Sequence, residues 1–289
     1  MIKKEKDRLV SRLKRSRAYR IAYHDPAFLD TDWARPIRLQ TELLKPESIL
    51  RDHRILSTIV VFGGTRIVER GQARRRVSRL QRQLARRPKD AALRKKLSIA
   101  RSLLAKCNFY DEARTFGRIV SREGQKYDGH EYVIVTGGGP GIMEAANRGA
   151  FDIGAKSIGL NITIPREQEP YPFITPGLCL QFHYFGMRKM HFMLRARALV
   201  AFPGGYGTMD ELFEALTLVQ TQKVSPMPIV LFDERYWRNL VNFEFLVDEG
   251  TIDQKDLDLF AFCDRAEEAW AYIKNFWEHE ESNSPKETR

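Results

Sequence analysis

The chain has 289 residues, of which 43% are apolar, and its formal net charge is +11. This composition allows one large α/β domain with appendages, or two small domains. No apolar run reaches the roughly 18 residues of a membrane span, and no apolar signal region follows the charged N-terminus. Cys107, Cys179 and Cys263 lie far apart in the sequence. We therefore expect reduced thiols, a cytoplasmic location, no membrane partner, and neither a metal nor a cofactor.

The first 56 residues are predicted to form a helical N-terminal extension. The pattern indicates a basic helix, a loop that contains Pro26 and Pro36, and a short helix through Leu43 and Ile49. The main domain is then predicted to span residues 57–279. The polar residues 280–289 are expected to form a flexible tail.

Residues 66–106 contain enough arginine and lysine to account for the basic balance of the chain. Leu80, Leu84, Leu93 and Leu97 recur at helical spacing, and the segment around Pro88 interrupts them, which predicts an inserted basic helical hairpin. The pattern favours a solvated hairpin, for which packing on a partner subunit is one option, because charge runs are usually solvated faces. The alternative is a nucleic-acid or polyanion surface, although residues 67–107 offer no aromatic platform for stacking bases.

The rest of the sequence alternates between apolar strand-like runs and amphipathic helical stretches. This order predicts a Rossmann-like, doubly wound parallel sheet with helices on both faces. Strands are expected at residues 57–62, 132–136, 156–164, 180–184, 198–202 and 228–232. Helices are expected at residues 108–123, 140–151 and 187–196, after Gly207, and near 236–248 and 266–279.

Three of the predicted strands are followed directly by glycine-rich segments, at residues 63–64, 137–141 and 203–207. Because open parallel sheets bind ligands at the carboxyl ends of their strands, the three glycine segments predict a binding edge. The third segment also begins a helix, where backbone N–H groups, the helix dipole and the Thr208 hydroxyl favour a phosphate. Its spacing matches neither a P-loop nor a dinucleotide fingerprint.

Glu211 is placed by this pattern in the first turn of that helix, where we expect it to face a sugar rather than a phosphate. The alternative is that the glycines only form a tight turn, and that Asp210 and Glu211 are charges favoured by the helix dipole. Glu144 and Asn147 are placed to face a base, or alternatively to cap or solvate their own helix.

Residues 137–144, the pair Arg188 and Lys189, and residues 203–208 with Glu211 resemble the LOG ("Lonely Guy") family. Members are cytokinin riboside 5′-monophosphate phosphoribohydrolases, and bacterial relatives cleave AMP and similar nucleotides. The resemblance covers roughly residues 55–232. Relatives have often been labelled lysine decarboxylases, but no segment here has the pattern of a pyridoxal-phosphate site.

The resemblance implies a homodimer or a higher oligomer, with an active site completed across the dimer. It also implies that Arg188 and Glu211 are catalytic and that Thr217 lines the same pocket. The expected substrate-binding residues are Gly63, Gly138, Gly139, Glu144, Lys189, Gly204, Gly205, Tyr206, Gly207, Thr208, Asp210 and Thr217.

The expected reaction is hydrolysis of the N-glycosidic bond of a purine nucleoside 5′-monophosphate, giving free base and ribose 5-phosphate. Glu211 would hold the ribose and stabilise its positive charge, or deprotonate the attacking water. Arg188 would neutralise the phosphate or position the ribosyl group. Two alternatives remain: a nucleotide or molybdenum-cofactor carrier without hydrolase activity, and a nucleic-acid-binding protein that uses the basic hairpin.

Overall fold

The computed structural model describes residues 3–126, 130–164 and 169–283, except for the side chains of residues 281–283. Residues 1–47 and 48–289 form two compact units. Most of the predicted tail at residues 280–289 lies outside the described residues.

The N-terminal unit contains α1 (Lys3–Arg15), α2 (Pro26–Leu29) and the beginning of α3 (Arg35–Asp52). Pro26 and Pro36 were predicted to lie in a loop, but each lies in the first turn of a helix. Proline is accepted there because the first N–H groups of a helix have no intrahelical acceptor. The predicted short helix through Leu43 is therefore an 18-residue helix.

The second unit is built on a seven-stranded sheet in which every pair of neighbouring strands is parallel. Its order, β4-β3-β2-β1-β5-β6-β7, reverses direction beside β1. This confirms the predicted doubly wound sheet. The strands are β1 (Thr58–Phe62), β2 (Val133–Thr136), β3 (Ser157–Ile162), β4 (Cys179–Phe182), β5 (Ala196–Ala201), β6 (Ile229–Phe232) and β7 (Phe260–Cys263).

Helices cover both faces of the sheet, as predicted. They are α4 (Arg70–Arg86), α5 (Ala91–Ala105), α6 (Asn108–Gly124), α7 (Ile142–Phe151), α8 (Phe185–Met193), α9 (Tyr206–Gln220), α10 (Glu234–Leu240), α11 (Phe243–Asp248) and α12 (Ala266–Asn283). The inserted hairpin of α4 and α5 is confirmed. Among the described residues, no helix combines the length and hydropathy needed to cross a membrane.

The burial of β1 shows why the sheet needs helices on both sides. All five of its residues are buried, and alternate side chains enter different apolar clusters. Ile59 and Val61 pack with residues of α6, α7 and α12, while Val60 and Phe62 pack with residues of α8, α9 and α10. A strand buried on both faces is typical of a parallel sheet between two helical layers.

Two details of the C-terminal part differ from the prediction. The helix expected near residues 236–248 is two helices, because the Asn242 side chain accepts a hydrogen bond from the Phe245 N–H and begins a new helix. The edge strand β7 was not predicted. Its four half-buried residues are too few to give a clear strand period.

Helices α6 and α7 pack through two glycines. A Cβ atom on Gly149 would lie 2.1 Å from the Arg114 carbonyl oxygen, and one on Gly117 would lie 2.2 Å from the Ala146 carbonyl oxygen. Only glycine allows the two backbones to approach this closely.

We predict that Gly149→Ala lowers the free energy of unfolding by about 1–3 kcal/mol, because the added methyl group pushes the helices apart. Gly71→Ala in α4 is the control, since its Cβ would meet its nearest neighbour, Arg75 Nη1, at 3.6 Å. The control is expected to leave stability unchanged or to raise it by up to about 1 kcal/mol. Urea unfolding measures both, and equal stabilities would contradict this account of the packing.

Candidate active site

The three glycine segments follow β1, β2 and β5, which are neighbours in the sheet. Gly64 joins them, because its N–H donates to the Pro203 carbonyl at 2.9 Å and its carbonyl accepts from the Ile142 N–H at 3.3 Å. Gly141 has a φ of +75°, and a Cβ there would lie 2.4 Å from the Gly64 carbonyl oxygen. The segments therefore meet at the point where the strand order reverses, the usual ligand position in such sheets.

The segment after β2 is fixed by a chain of buried hydrogen bonds. The Thr136 hydroxyl accepts from the Gly138 N–H at 3.0 Å and donates to Asn147 Oδ1 at 2.6 Å. Asn147 Nδ2 donates to the Ile158 carbonyl on β3. Asn147 is 1% exposed, so it holds α7 to the sheet and does not face a ligand.

The segment after β5 begins α9. The Gly205 carbonyl accepts from the N–H groups of Thr208 and Met209, so the preceding N–H groups of Tyr206 and Gly207 lie at the open helix end. The Tyr236 hydroxyl on α10 donates to the Gly204 carbonyl. From the sequence, Glu211 was predicted to lie in the first turn of this helix. Because α9 begins at Tyr206, Glu211 lies instead in its second turn.

Arg188, in the first turn of α8, is held by backbone oxygens. Its Nε donates to the Leu160 carbonyl of β3 at 2.7 Å, and its Nη2 donates to the Gly137 carbonyl at 3.5 Å. The guanidinium carbon lies 5.2 Å from the centre of the Phe192 ring. Burial lowers the pKa of Arg188, and the negative charge of Glu211 partly offsets that effect. These contacts fix the direction of the guanidinium group.

Glu211 is 8% exposed. Loss of solvent raises its pKa to about 7, although the charges of Lys189 and Arg188 act in the opposite direction. Within the described part of the chain, no hydrogen bond reaches its carboxyl group. Glu211 is therefore a buried acid that changes charge near neutral pH, as functional carboxyl groups often do.

Lys189 does not neutralise Glu211 by a direct contact. Its Nζ lies 2.9 Å from a carboxyl oxygen of Asp210 and 2.9 Å from one of Glu214. Burial alone would lower the pKa of Lys189, but its hydrogen bonds with Glu214 and Asp210 raise it instead. The lysine is thus held as a cation that links α8 to α9.

These elements surround a cavity of about 260 Å³. Seven predicted site residues line it: Gly63, Arg188, Gly205, Gly207, Thr208, Asp210 and Glu211. Five other residues line it: Phe62, Gly64, Thr65, Met143 and Phe185. Of these, only Gly64 lay in a segment predicted to form the binding edge, and none was among the individually predicted site residues. Their closeness in sequence to predicted site residues could have identified them, because each lies in or within three residues of a glycine segment or of Arg188.

The remaining predicted residues lie outside the lining of this cavity. Gly138 and Gly139 are buried behind it, and Glu144 accepts a hydrogen bond from the Tyr110 hydroxyl. Tyr206 is 90% exposed, and the exposed Thr217 donates its hydroxyl to the Phe213 carbonyl one turn earlier. Gly204 supports the segment through Tyr236, and Lys189 acts through its carboxylate partners.

A larger cavity of about 680 Å³ lies at the opposite edge of the sheet. It is bordered by Ser57 and Ala196, which lie at the amino ends of β1 and β5, and by Trp277. Ligands of open parallel sheets bind at the carboxyl edge instead. The smaller cavity, which contains Glu211 and Arg188, is therefore the better candidate.

Comparison with known proteins finds sequence similarity over a part of the chain that includes residues of this site. A family model described as "Possible lysine decarboxylase" matches residues 143–273, which include Arg188 and Glu211. The similar curated proteins are cytokinin riboside 5′-monophosphate phosphoribohydrolases of the LOG family. Part of the chain is similar in sequence to members of the LOG family.

Three of these LOG relatives show how far the similarity extends. The probable phosphoribohydrolase LOG4 of Oryza sativa subsp. japonica is 29% identical over 140 residues, which cover 47% of this chain and 59% of that protein. LOG1 of Arabidopsis thaliana is 26% identical over 160 residues, covering 54% and 73%. LOG7 of the same plant is 30% identical over 124 residues, covering 42% and 55%. The matched part thus spans between about half and three quarters of each relative.

Among solved structures, the X-ray structure of TM1055, a structural genomics target, is 18% identical and has a TM-score of 0.45. The match covers 76% of this chain and 99% of that chain.

We predict that Glu211→Gln stabilises the protein at high pH. Burial raises the pKa of this carboxyl group from its ordinary value of 4.5 to about 7, so the folded state resists loss of the proton as pH rises between these two values. The difference corresponds to about 3 kcal/mol. The variant should exceed wild type by up to that amount above pH 7 and match it below pH 4.5, in thermal unfolding scans.

Glu214→Gln is the matched control on the same helix. Because the Glu214 carboxylate is paired with Lys189, removal of its charge should not stabilise the protein. Two results would contradict the raised pKa assigned to Glu211: no stabilisation of Glu211→Gln at high pH, or an equal stabilisation of Glu214→Gln.

Proposed function

We propose that this chain hydrolyses the N-glycosidic bond of a purine nucleoside 5′-monophosphate, either AMP, a cytokinin riboside 5′-monophosphate or both. The products are the free base and ribose 5-phosphate. The proposal is carried by one observation: a buried Glu211, which has no ion-pair or hydrogen-bond partner among the described residues, and a half-buried Arg188 line one cavity beside the glycine segment of α9. The names of the LOG relatives support the class of reaction.

The 5′-phosphate is assigned to the open end of α9. The N–H groups of Tyr206 and Gly207 are free of intrahelical acceptors, and the helix dipole favours an anion there. Thr208 begins the buried part of the helix and lines the cavity. The phosphate takes no part in the bond cleavage, but its binding energy would fix the position of the reacting sugar.

Glu211 is assigned to the sugar. Cleavage passes through a transition state in which the ribosyl C1′ carries positive charge, while water forms a bond to C1′ and the bond to the base nitrogen breaks. An ionised Glu211 would stabilise that charge or take a proton from the water. The departing base nitrogen takes up one proton, so one water is consumed in forming the free base and ribose 5-phosphate. A pKa of about 7 suits a base that works near neutral pH.

Arg188 is assigned a positioning and electrostatic role. Its Nε and Nη2 are directed to backbone carbonyls, which leaves Nη1 to interact with the ribosyl phosphate. A guanidinium group fixed in this way loses little freedom when the substrate binds.

The base is assigned to the side of the cavity formed by Met143 and Phe185. Phe185 is 55% exposed. An aromatic side chain at this position provides a surface on which a purine can stack.

The active unit is proposed to be a homodimer. Helices α8 and α9, which Lys189 joins, leave Met190, Leu194 and Phe213 exposed. A partner subunit that covers this surface would also cover Thr217, which points away from the cavity of its own chain and which the LOG resemblance assigns to the pocket.

A lysine decarboxylase activity has less support. The Schiff-base chemistry of such enzymes needs a lysine that readily becomes neutral. Lys189, which is next to Arg188 in sequence, is instead stabilised as a cation by Asp210 and Glu214.

We predict that wild-type protein releases base from AMP or from isopentenyladenosine monophosphate, and that Glu211→Gln lowers kcat by about 10²–10⁴-fold. The rate should rise with pH through about 7, because Glu211 must ionise. Glu214→Gln is expected to stay within about threefold of wild type. Chromatography of the released base measures each rate.

Arg188→Lys separates charge from geometry in the same assay. It should lose at least about tenfold in kcat/KM, since a lysine lacks the planar group that bonds to Leu160 and Gly137. Tight nucleotide binding by wild type without base release would contradict the hydrolase and favour the carrier.

A further inference from the structure

The α4–α5 hairpin carries a charge that the active site does not use. Residues 70–106 contain 14 arginines and lysines and one acid, Asp90, which gives a formal charge of +13. The whole chain has a formal charge of +11. The positive balance of the protein is therefore located in this one hairpin.

Four arginines of α4 form a stripe along the helix. Arg75, Arg79, Arg82 and Arg86 are spaced by four, three and four residues, which places them on one face. At a rise of 1.5 Å per residue the stripe is about 16 Å long. We call these four residues the arginine stripe.

The opposite face of α4 is already occupied. Val77 and Leu80 form a small buried cluster with Leu97 and Ala100 of α5. Because the two helices bury their apolar sides against each other, the arginine stripe is the outward surface of the hairpin.

The arginine stripe is exposed, and none of its side chains forms an ion pair with a described residue. Some arginines elsewhere among the described residues are paired with acids, as Arg114 is with Asp152 and Arg238 with Glu244. Four adjacent cations without counter-charges repel one another, and the repulsion is relieved when an anion binds across them. The sequence pattern favoured a solvated hairpin, whereas the unpaired arginine stripe favours the alternative, a surface that binds a polyanion.

The side chains exposed on the hairpin indicate which class of polyanion it would bind. Ile99 is the one large apolar side chain of the hairpin that is exposed among the described residues, so little apolar surface is available to enter a lipid bilayer. Residues 67–107 contain no aromatic side chain on which an unpaired base could stack. A nucleic-acid duplex, whose bases are already stacked, needs neither feature.

We propose that the arginine stripe binds the phosphate backbone of a nucleic-acid duplex without regard to base sequence. A duplex has one phosphate charge per 1.7 Å of axis, so the stripe spans enough phosphates to neutralise one with each arginine. Guanidinium groups match phosphate oxygens in bidentate geometry. This function is separate from the proposed hydrolysis, because no residue of the stripe lines the cavity of Glu211.

The test uses the full chain and a fluorescent 20-base-pair DNA duplex of arbitrary sequence, titrated at several salt concentrations. Wild type should bind with a slope of log K against log salt of about −3.6, the value for four neutralised phosphates. Changing Arg75, Arg79, Arg82 and Arg86 to Gln should weaken binding at least tenfold and flatten the slope. Changing the same four residues to Lys should retain most of the affinity.

The matched control changes Lys4, Arg8, Arg12 and Arg15 of α1 to Gln, which removes the same charge from another exposed helix. It should bind the duplex like wild type. Three results would overturn the proposal: no salt-dependent binding by wild type, equal losses in the control, or binding of phosphatidylglycerol vesicles but not of the duplex. Base release from AMP, measured on the same samples, should be unchanged in the Gln variant, so the two proposals fail independently.

Discussion

The candidate site depends on the backbone of Gly64, which binds the segments after the two neighbouring strands. Its N–H holds Pro203 and its carbonyl holds Ile142. These bonds require backbones to approach so closely that a Cβ on Gly63 would lie 2.6 Å from the Ile142 side chain. Because these bonds lie at the start of α7 and at the turn into α9, they position the cavity groups that those two helices carry, among them Met143 and Glu211.

The electrostatics of the site depend on which groups its two cations, Arg188 and Lys189, contact. Arg188 donates to backbone carbonyls, and Lys189 is paired with Asp210 and Glu214. Glu211 therefore feels both charges without a direct ion pair to either, and burial determines its pKa. A direct bridge from Arg188 would stabilise the fold and keep the carboxylate ionised, but it would occupy the oxygens that a sugar or a water needs. The arrangement gives up stability in favour of a reactive acid.

The sequence was sufficient to predict much of this fold. Each of the runs ending at Phe62, Thr136 and Phe202 is apolar, short and followed by glycine, so the parallel sheet and its binding edge could be inferred from local pattern alone. Arg188 and Glu211 were identified through motifs that the LOG resemblance made recognisable. The basic hairpin was visible in its leucine spacing.

What the sequence could not provide depends on contacts between distant segments. The start of α9 at Tyr206 follows from the bonds of Gly205, which moved Glu211 into the second turn. Tyr236 supports Gly204 from 32 residues away, and Asn147 is committed to Thr136 and Ile158. Phe185 and Met143 line the cavity through the packing of α8 and α7. Phe185 lies outside the recognised motifs, and the motif that contains Met143 did not by itself assign it to the cavity.

The most direct test of this account is a crystal structure of the Glu211→Gln variant with ribose 5-phosphate. We predict that the phosphate binds at the N–H groups that open α9 and that the C1′ end of the sugar lies within hydrogen-bond reach of residue 211. A phosphate bound away from α9, or a sugar directed away from residue 211, would contradict the proposed site.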